Sequence, residues 1–500
     1  MGASPAAAVD GRETSATPIG DLGSPGRAFV DAAGRITARG RSWSVDWWIG
    51  AGDRWRRPGE EPSTRQALVD DTPVVQTLLR VPGGDVASRA FVVGGTVVME
   101  VENLSPVPVA VAFCLEPPVA RIELAGDRVL ADGDVALVLP RAPSGTAWAV
   151  DIEPDVTHLE PGDGSVRDRG RAARAAFVFP LPHRASMRVR VPLGLTAPAA
   201  GPPSAEAVAR SWAAHRRRGA EAVLPPGPLA DALAAATCFV LLAGDQADIA
   251  DSALVVDALD RAGFAGEAAA LLRGWLARQR GDGGFGGQRP IRTTGAALTA
   301  LATHWRLTGD DDFLAAVLPA VALGVSALRR AGRSADAGDL TWAVSGLDGA
   351  AALLRHGGHP PVAARAESHA AAARAALGQL DPVPVPVLMP DGARWDAPAS
   401  VAGLVSRVWR MLAHATAGGE LALCTAVPAE WEGQGWQVNG APTELGVVSF
   451  AVRWHGMRPA LLWECTGDGP VRIVAPGLDP AWSSTARSGE ALLRVERAPG

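Results

Sequence analysis

From Asp21 to about position 198 the apolar residues come in short, Val-rich runs broken by Pro, Gly and Asp, the pattern of strands closed by turns. Ala90 to Val93, Thr96 to Glu102 and Pro108 to Leu115 follow one another in this way, and Ser186 to Leu193 alternates Arg with apolar side chains. A period of two sends alternate side chains to opposite faces, so this stretch predicts a large antiparallel sandwich. After an Ala/Pro-rich break at 197–203 the apolar residues fall three and four apart, punctuated by Gly or Pro. That spacing predicts amphipathic helices at Ala205–Arg217, Leu229–Leu242, Ile249–Ala262, Gly266–Arg280, Thr294–Leu307, Phe313–Arg330, Trp342–His356, Val362–Gln379 and Ser400–His414, joined as stacked hairpins. The alternating prolines of "DPVPVPVLMPDG" from Asp381 remove donors and fix an extended backbone, so a non-helical connector is expected over 381–398. Strand patterning returns near Glu420 in "GVVSFAVRW" and "PALLWEC".

The expected organisation is a multidomain α and β protein. It runs from a flexible tail (1–20) through an N-terminal β-sandwich (21–198) and a linker with one helix (199–224) to a helical domain (225–416) and a small C-terminal β domain (420–500).

Composition narrows the chemistry. With 48% apolar and 20% charged residues the chain is not disordered, and no apolar run is read as reaching the ~18 residues that span a bilayer, so no membrane association is expected. The tail has neither a basic start nor an apolar stretch, unlike a signal peptide. Cys114, Cys238, Cys424 and Cys465 are scattered without paired spacing, which argues against zinc and disulfides and fits a cytoplasmic location. A net charge of -6 opposes nucleic-acid binding, and the run Arg216 to Arg218 reads as a solvated helix face.

The chain has no lysine and no tyrosine, which removes pyridoxal Schiff bases, Walker-type phosphate loops and the kinase lysine–glutamate pair. His356 and His359 flank a Gly-Gly turn without an acidic neighbour, and neither His-Glu-x-x-His nor Gly-x-Ser-x-Gly occurs. Neither a metal nor a cofactor is expected.

Three phrases carry a family resemblance: "DDTPVVQTLLRVPGGDVASRAFVV" with "VVMEVENLSPVPVAVAF", "LARQRGDGGFGGQ" with "TTGAALTALATHWRLTGDDDFL", and "GQGWQVNGAPTELGVVSFAVRWHGMRPALLWE". Together they resemble the six-hairpin glycosidases, in particular actinobacterial glucoamylase and amylo-α-1,6-glucosidase-like proteins. The resemblance implies an (α/α) toroid between two β domains, with one carboxylic acid and one carboxylate facing each other across its mouth. In such proteins the stretch before "ALTALATHWRLTGD" carries Trp-Asp and then Gly-Gln; here Ile291, Arg292, Gly295 and Ala296 stand at those positions. The next hairpin opens with "GDLTW", which keeps only Asp339 and Trp342 of a longer acidic and aromatic phrase.

A full ring has more helices than the nine read here, so the toroid is expected to be incomplete, with its gap near the connector. Asp339 is the candidate catalytic carboxylate, although an Asp before a helix start near Thr341 also suits a cap. Candidate sugar-binding residues are Trp342, Trp305, Trp395, Asp396, Gln288 and Asp282; Trp395 lies between Asp391 and Asp396, where an indole stacks on a pyranose while carboxylates take hydroxyls. Core packing competes with sugar stacking for Trp305 and Trp342.

The expected function is to act on or bind an α-glucan or related oligosaccharide with a depleted catalytic pair. The alternatives are a non-catalytic sugar-binding or assembly scaffold and, from the phrase "RGWLARQRGDGGF", a terpene-cyclase-like enzyme. Asp282, Asp391 and Asp396 are the reserve candidates for a second carboxylate.

Overall fold

The computed structural model describes residues 16–52, 54–167, 173–194, 201–334, 336–378 and 398–494. The chain divides into two compact units, Met1–Trp212 and Ala213–Gly500.

The first unit is built on two antiparallel sheets. One has eight strands in the order Thr17–Gly20, Arg27–Val30, Ile36–Ala38, Ser44–Ala51, Val109–Glu116, Ala173–Leu181 and Gly145–Val150, with Arg54–Arg56 also pairing with Ser44–Ala51. The other has nine, with Ser186–Pro192, Thr96–Asn103, Gly84–Val93 and Val75–Val81 adjacent in that order. Alternation decides which side chains meet: in Val75–Val81 the buried positions are Val75, Thr77, Leu79 and Val81. Val75, Leu79 and Val81 join Trp47, Phe113, Phe177 and Phe179 of the eight-stranded sheet in a single core, a sheet-on-sheet packing. The outward Arg188 of the "MRVRV" strand pairs instead with Glu100 on the neighbouring strand, Nε to Oε2 2.5 Å.

Among the described residues there are nine α-helices: α1 (Ala205–Arg216), α2 (Pro228–Ala243), α3 (Ile249–Arg261), α4 (Ala265–Leu276), α5 (Pro290–Thr308), α6 (Asp311–Ala327), α7 (Ala337–His356), α8 (Pro360–Leu377) and α9 (Pro398–Leu412). Short turns at Ala262–Phe264, Gly309–Asp310 and Gly357–His359 fold α3/α4, α5/α6 and α7/α8 into hairpins. The α4 helix ends at Leu276, four residues short of the expected Arg280, because the segment from Gln279 is held as a loop. Gln279 Nε2 donates to the carbonyls of Gly283 and Ala320, both at 2.9 Å, and a Cβ on Gly283 would lie 2.1 Å from the Leu323 carbonyl oxygen. The phrase that resembled a cyclase repeat thus ties the α4–α5 loop to α6.

The expectation that no apolar run reaches bilayer length is corrected by Asp311–Arg333, which is long and apolar enough to cross a membrane by length and composition. In this fold its Phe313, Leu314, Val317, Val321 and Val325 are buried, and α6 packs on α5 and α7.

The second unit also contains a five-stranded sheet, in the order Glu221–Val223, Trp436–Thr443, Gly446–His455, Arg458–Cys465 and Ser488–Leu492, and a four-stranded one. Its edge strand Glu221–Val223, lying in the segment read as linker, pairs with Trp436–Thr443. Three residues are too few to show a period. The connector over 381–398 lies outside the described residues, apart from Pro398, which opens α9.

Candidate functional site

The helices α3, α5 and α7 run parallel, side by side. Along α5 and α7 the register is fixed by missing side chains: a Cβ on Gly346 would lie 2.3 Å from the Gly295 carbonyl oxygen, and one on Gly349 would lie 2.6 Å from Ala302 Cβ. Along α3 and α5 two polar contacts fix it, Arg292 against Asp248 and Asp251 near the start and His304 against Asp260 near the end. All three N-termini therefore share one end.

At that end each helix carries a charged pair at its N-cap and third position. Asp248 and Asp251 open α3, Arg289 and Arg292 open α5, and Asp336 and Asp339 open α7. Acidic residues suit a helix N-terminus, where backbone N–H groups are unpaired and the dipole is positive. Asp248 accepts from the Ala250 N–H at 2.9 Å and Asp336 from the Asp339 N–H at 3.0 Å. The N-cap of α7 is thus Asp336, which corrects the alternative that Asp339 caps a helix beginning near Thr341.

Arginines at the start of α5 run against the dipole, and the flanking carboxylates offset this. Arg289 Nη2 lies 2.5 Å from Asp336 Oδ1 and 2.9 Å from Asp339 Oδ1, while Arg292 reaches Asp248 and Asp251 at 3.8 and 3.9 Å. The Arg289–Asp339 contact is close but not aligned as a hydrogen bond, and Asp339 Oδ1 is buried without a hydrogen-bond partner. Asp339 Oδ2 accepts from the Ser334 hydroxyl at 3.4 Å.

These environments push the carboxyls in opposite directions. The hydrogen bond from the Asp339 N–H, followed by that from Arg289, holds Asp336 below its ordinary range. Partial burial raises Asp251, the neighbouring Asp248 raises it further, and Arg292 opposes both.

Trp342 lies one turn beyond Asp339 on the same side of α7, half-buried. Gln288 is exposed in the loop immediately before α5, and Asp282 is exposed farther back in that loop, accepting from the Gly284 N–H at 2.9 Å. Trp305 is not part of this end. It lies sixteen residues after Arg289, about 24 Å along the helix at 1.5 Å per residue, with its indole N–H 3.4 Å from Asp311 and its ring against His356. It fills the α5–α6 turn. Trp395, Asp391 and Asp396 lie outside the described residues.

Gly295 and Ala296, which stand where the resemblance expects Gly-Gln, serve packing. A Cβ on Gly295 would lie 2.5 Å from the Trp342 carbonyl, and Ala296 is fully buried. Sequence reading missed Asp248, Asp251, Arg289 and Asp336. The signal was present as the same i, i+3 spacing at three helix starts, in "DIAD", "RPIR" and "DAGD".

Beside this row a cleft of about 300 Å³ opens between the start of α5, the loop before it and the end of α6, lined by Arg280, Asp282, Thr294, Arg329 and Arg330 among others.

The fold is similar to that of a bacterial glucoamylase. That protein, solved in complex with acarbose, superposes with a TM-score of 0.51 at 9% identity, over 73% of this chain and 67% of its own. The likeness is one of fold: N-terminal sheets followed by a central helical region. A family GH92 inverting mannosidase from Bacteroides thetaiotaomicron matches with a TM-score of 0.44 at 10% identity, over 71% of this chain and 60% of its own. An α-L-rhamnosidase from Dictyoglumus thermophilum matches with a TM-score of 0.41 at 8% identity, over 76% and 57%. No protein-family model matches the chain, and no curated protein matches it in sequence.

Proposed function

We propose that the chain is a carbohydrate-binding protein built on a six-hairpin glycosidase scaffold, taking an α-glucan or related oligosaccharide at the common N-terminal end of α3, α5 and α7, with its catalytic pair depleted. The row of Asp, Arg and Asp pairs at that end carries this reading. Glycoside hydrolysis needs one carboxylic acid to protonate the leaving oxygen and a second carboxylate to attack or to activate water. Asp339, the carboxylate the family resemblance singles out, is held against Arg289. Where that resemblance places another aspartate stands Arg292, which draws Asp248 and Asp251 to itself. The arginines compensate the acids that a hydrolase would leave free.

The helical region on this reading is an incomplete toroid, consistent with the nine helices among the described residues. Trp342, Gln288 and Asp282 are the proposed sugar contacts at this end.

Each positioned acid or base contributes about 10²–10⁴ in rate, so loss of one partner places turnover several kcal/mol higher in barrier. The expected result is that purified protein hydrolyses maltose, trehalose, maltodextrin and glycogen weakly or not at all, while a maltooligosaccharide raises its melting temperature by mass action. Turnover at tens per second, abolished by Asp339→Asn with the fold intact, would show that the pair is complete. Absence of both turnover and thermal shift would transfer the proposal to an assembly scaffold.

A further inference from the structure

The cleft at the start of α5 differs in charge from the row beside it. Three of its lining side chains are arginines, Arg280, Arg329 and Arg330, and one is a carboxylate, Asp282. Arg280 Nη2 stands 3.5 Å from Asp282 Oδ2, so the acid is offset locally. Arg329 and Arg330, exposed at the end of α6, bring two further positive charges to the same wall. This excess occurs in a chain whose net charge is -6, so it is a local construction.

The floor is polar as well. Thr294 is buried and its hydroxyl accepts from the Phe285 N–H at 3.3 Å, which leaves the hydroxyl proton for a ligand. Gly284 keeps the space open: a Cβ there would lie 3.2 Å from Arg280 Nη2 and 3.7 Å from Thr294 Oγ1. Residue Arg289, at the N-cap of α5, makes no side-chain cap, so the helix start that borders the cleft is not closed by its own side chain.

We infer that this cleft binds an oxyanion carried on a small sugar, a phosphorylated monosaccharide, with Arg280, Arg329 and Arg330 as the anion contacts and the Thr294 hydroxyl as a donor. Guanidinium groups match a phosphate because their planar forks donate two parallel hydrogen bonds to its oxygens. The volume of about 300 Å³ lies at the lower end of ligand pockets, about 300–1,000 Å³, which favours one phosphorylated ring over a chain of rings. The sugar part of this inference rests on the function proposed above; the oxyanion part stands on the arginines alone.

Titration calorimetry of the full chain with inorganic phosphate, glucose 6-phosphate, glucose and maltotriose separates these parts. Phosphate is expected to bind, glucose 6-phosphate to bind more tightly than phosphate, and glucose alone to bind more weakly than either. The double substitution Arg329→Ala/Arg330→Ala, at two exposed positions, is expected to weaken both phosphorylated ligands about tenfold or more, since hydrogen bonds to charged groups are the strong ones. Arg306→Ala, exposed near the far end of α5, is the control and should change neither. No phosphate binding, equal weakening by the control, or glucose 6-phosphate binding no tighter than phosphate would each overturn the inference. Binding of both phosphates with none of maltotriose would support it and remove the α-glucan reading alone.

Discussion

The substitution His304→Ala is expected to lower the stability of the second unit by about 3–5 kcal/mol, the usual cost of breaking a buried ionic or hydrogen-bonded charge pair from one side. His304 Nδ1 and Asp260 Oδ1 are 2.7 Å apart, and their side chains are 2% and 0% exposed. The second oxygen, Oδ2, is buried with no hydrogen-bond partner, so the imidazole supplies the side-chain contact on which the carboxyl depends. The ring also packs edge-on to Phe313, with centroids 4.5 Å apart, and its removal would open space between α5 and α6. Urea unfolding of the variant at neutral pH measures the loss. A change below about 1 kcal/mol would mean that Asp260 finds water or another donor, and the pair would not be a structural strut.

The same pair predicts a pH dependence. Burial pushes Asp260 up to about 6, against the pull of the His304 hydrogen bond. The ordinary value is 3.8, so between about pH 4 and 6 the folded protein holds a proton at Asp260 that the unfolded chain has released. The contribution of this group is therefore fully present at the acid end of that window and is lost as pH rises through it, with a slope of at most about 1.4 kcal/mol per pH unit. Comparing wild type with Asp260→Asn across the window isolates it, because the amide retains the shape and does not titrate. The stability difference should move against the wild type as pH rises and become level above about 6; a constant difference would refute the assignment.

The helices were legible because their apolar spacing is long and regular; α3 is expected at Ile249–Ala262 and observed at Ile249–Arg261. Strand patterning was legible for the same reason wherever one face meets a core, as in Ser186–Pro192. What was not legible depends on partners distant in sequence. Glu221–Val223 is a strand because Trp436–Thr443 lies beside it. The role of Gln279 depends on the Ala320 carbonyl of another helix. Of the acids at these helix starts Asp339 alone was singled out, and as a cap it was misplaced by three residues, since Asp336 caps α7. The parallel alignment of three helices brings Asp248, Asp251, Asp336 and Asp339 to one end, and no local spacing encodes that alignment. The position of Trp305 followed the same logic in reverse. Its helix was expected at Thr294–Leu307 and runs from Pro290 to Thr308, and that length carries the ring to the opposite end from Asp339.

The close approach of α5 and α7 leads to the second large effect, expected for Gly346→Ala. Alanine is ordinarily the better helix former, by about 1 kcal/mol, so propensity alone predicts a more stable protein. The packing predicts the reverse. The new methyl would lie 2.3 Å from the Gly295 carbonyl oxygen, 2.9 Å from its Cα and 3.0 Å from its carbonyl carbon, all backbone atoms that cannot turn aside like a flexible side chain. Relief requires the two helices to separate, and Gly349 against Ala302, already without room for a Cβ at 2.6 Å, would be pulled out of contact with them. Overpacking of this kind costs about 1–3 kcal/mol and sometimes more, so, with backbone atoms as the obstacle, a net loss of about 1–2 kcal/mol is expected after the propensity gain. Separation also moves Arg289 away from Asp336 and Asp339, since each charged group is borne by one of the two helices. The variant should therefore show both a lower melting temperature and weaker binding of any ligand taken at their common end. A surface control, Gly358→Ala, has open space around its Cβ but a φ of +78°, and would destabilise through backbone strain without altering ligand binding. If Gly346→Ala instead raised the melting temperature, propensity would have outweighed packing, and the α5–α7 contact would not set the geometry of the site.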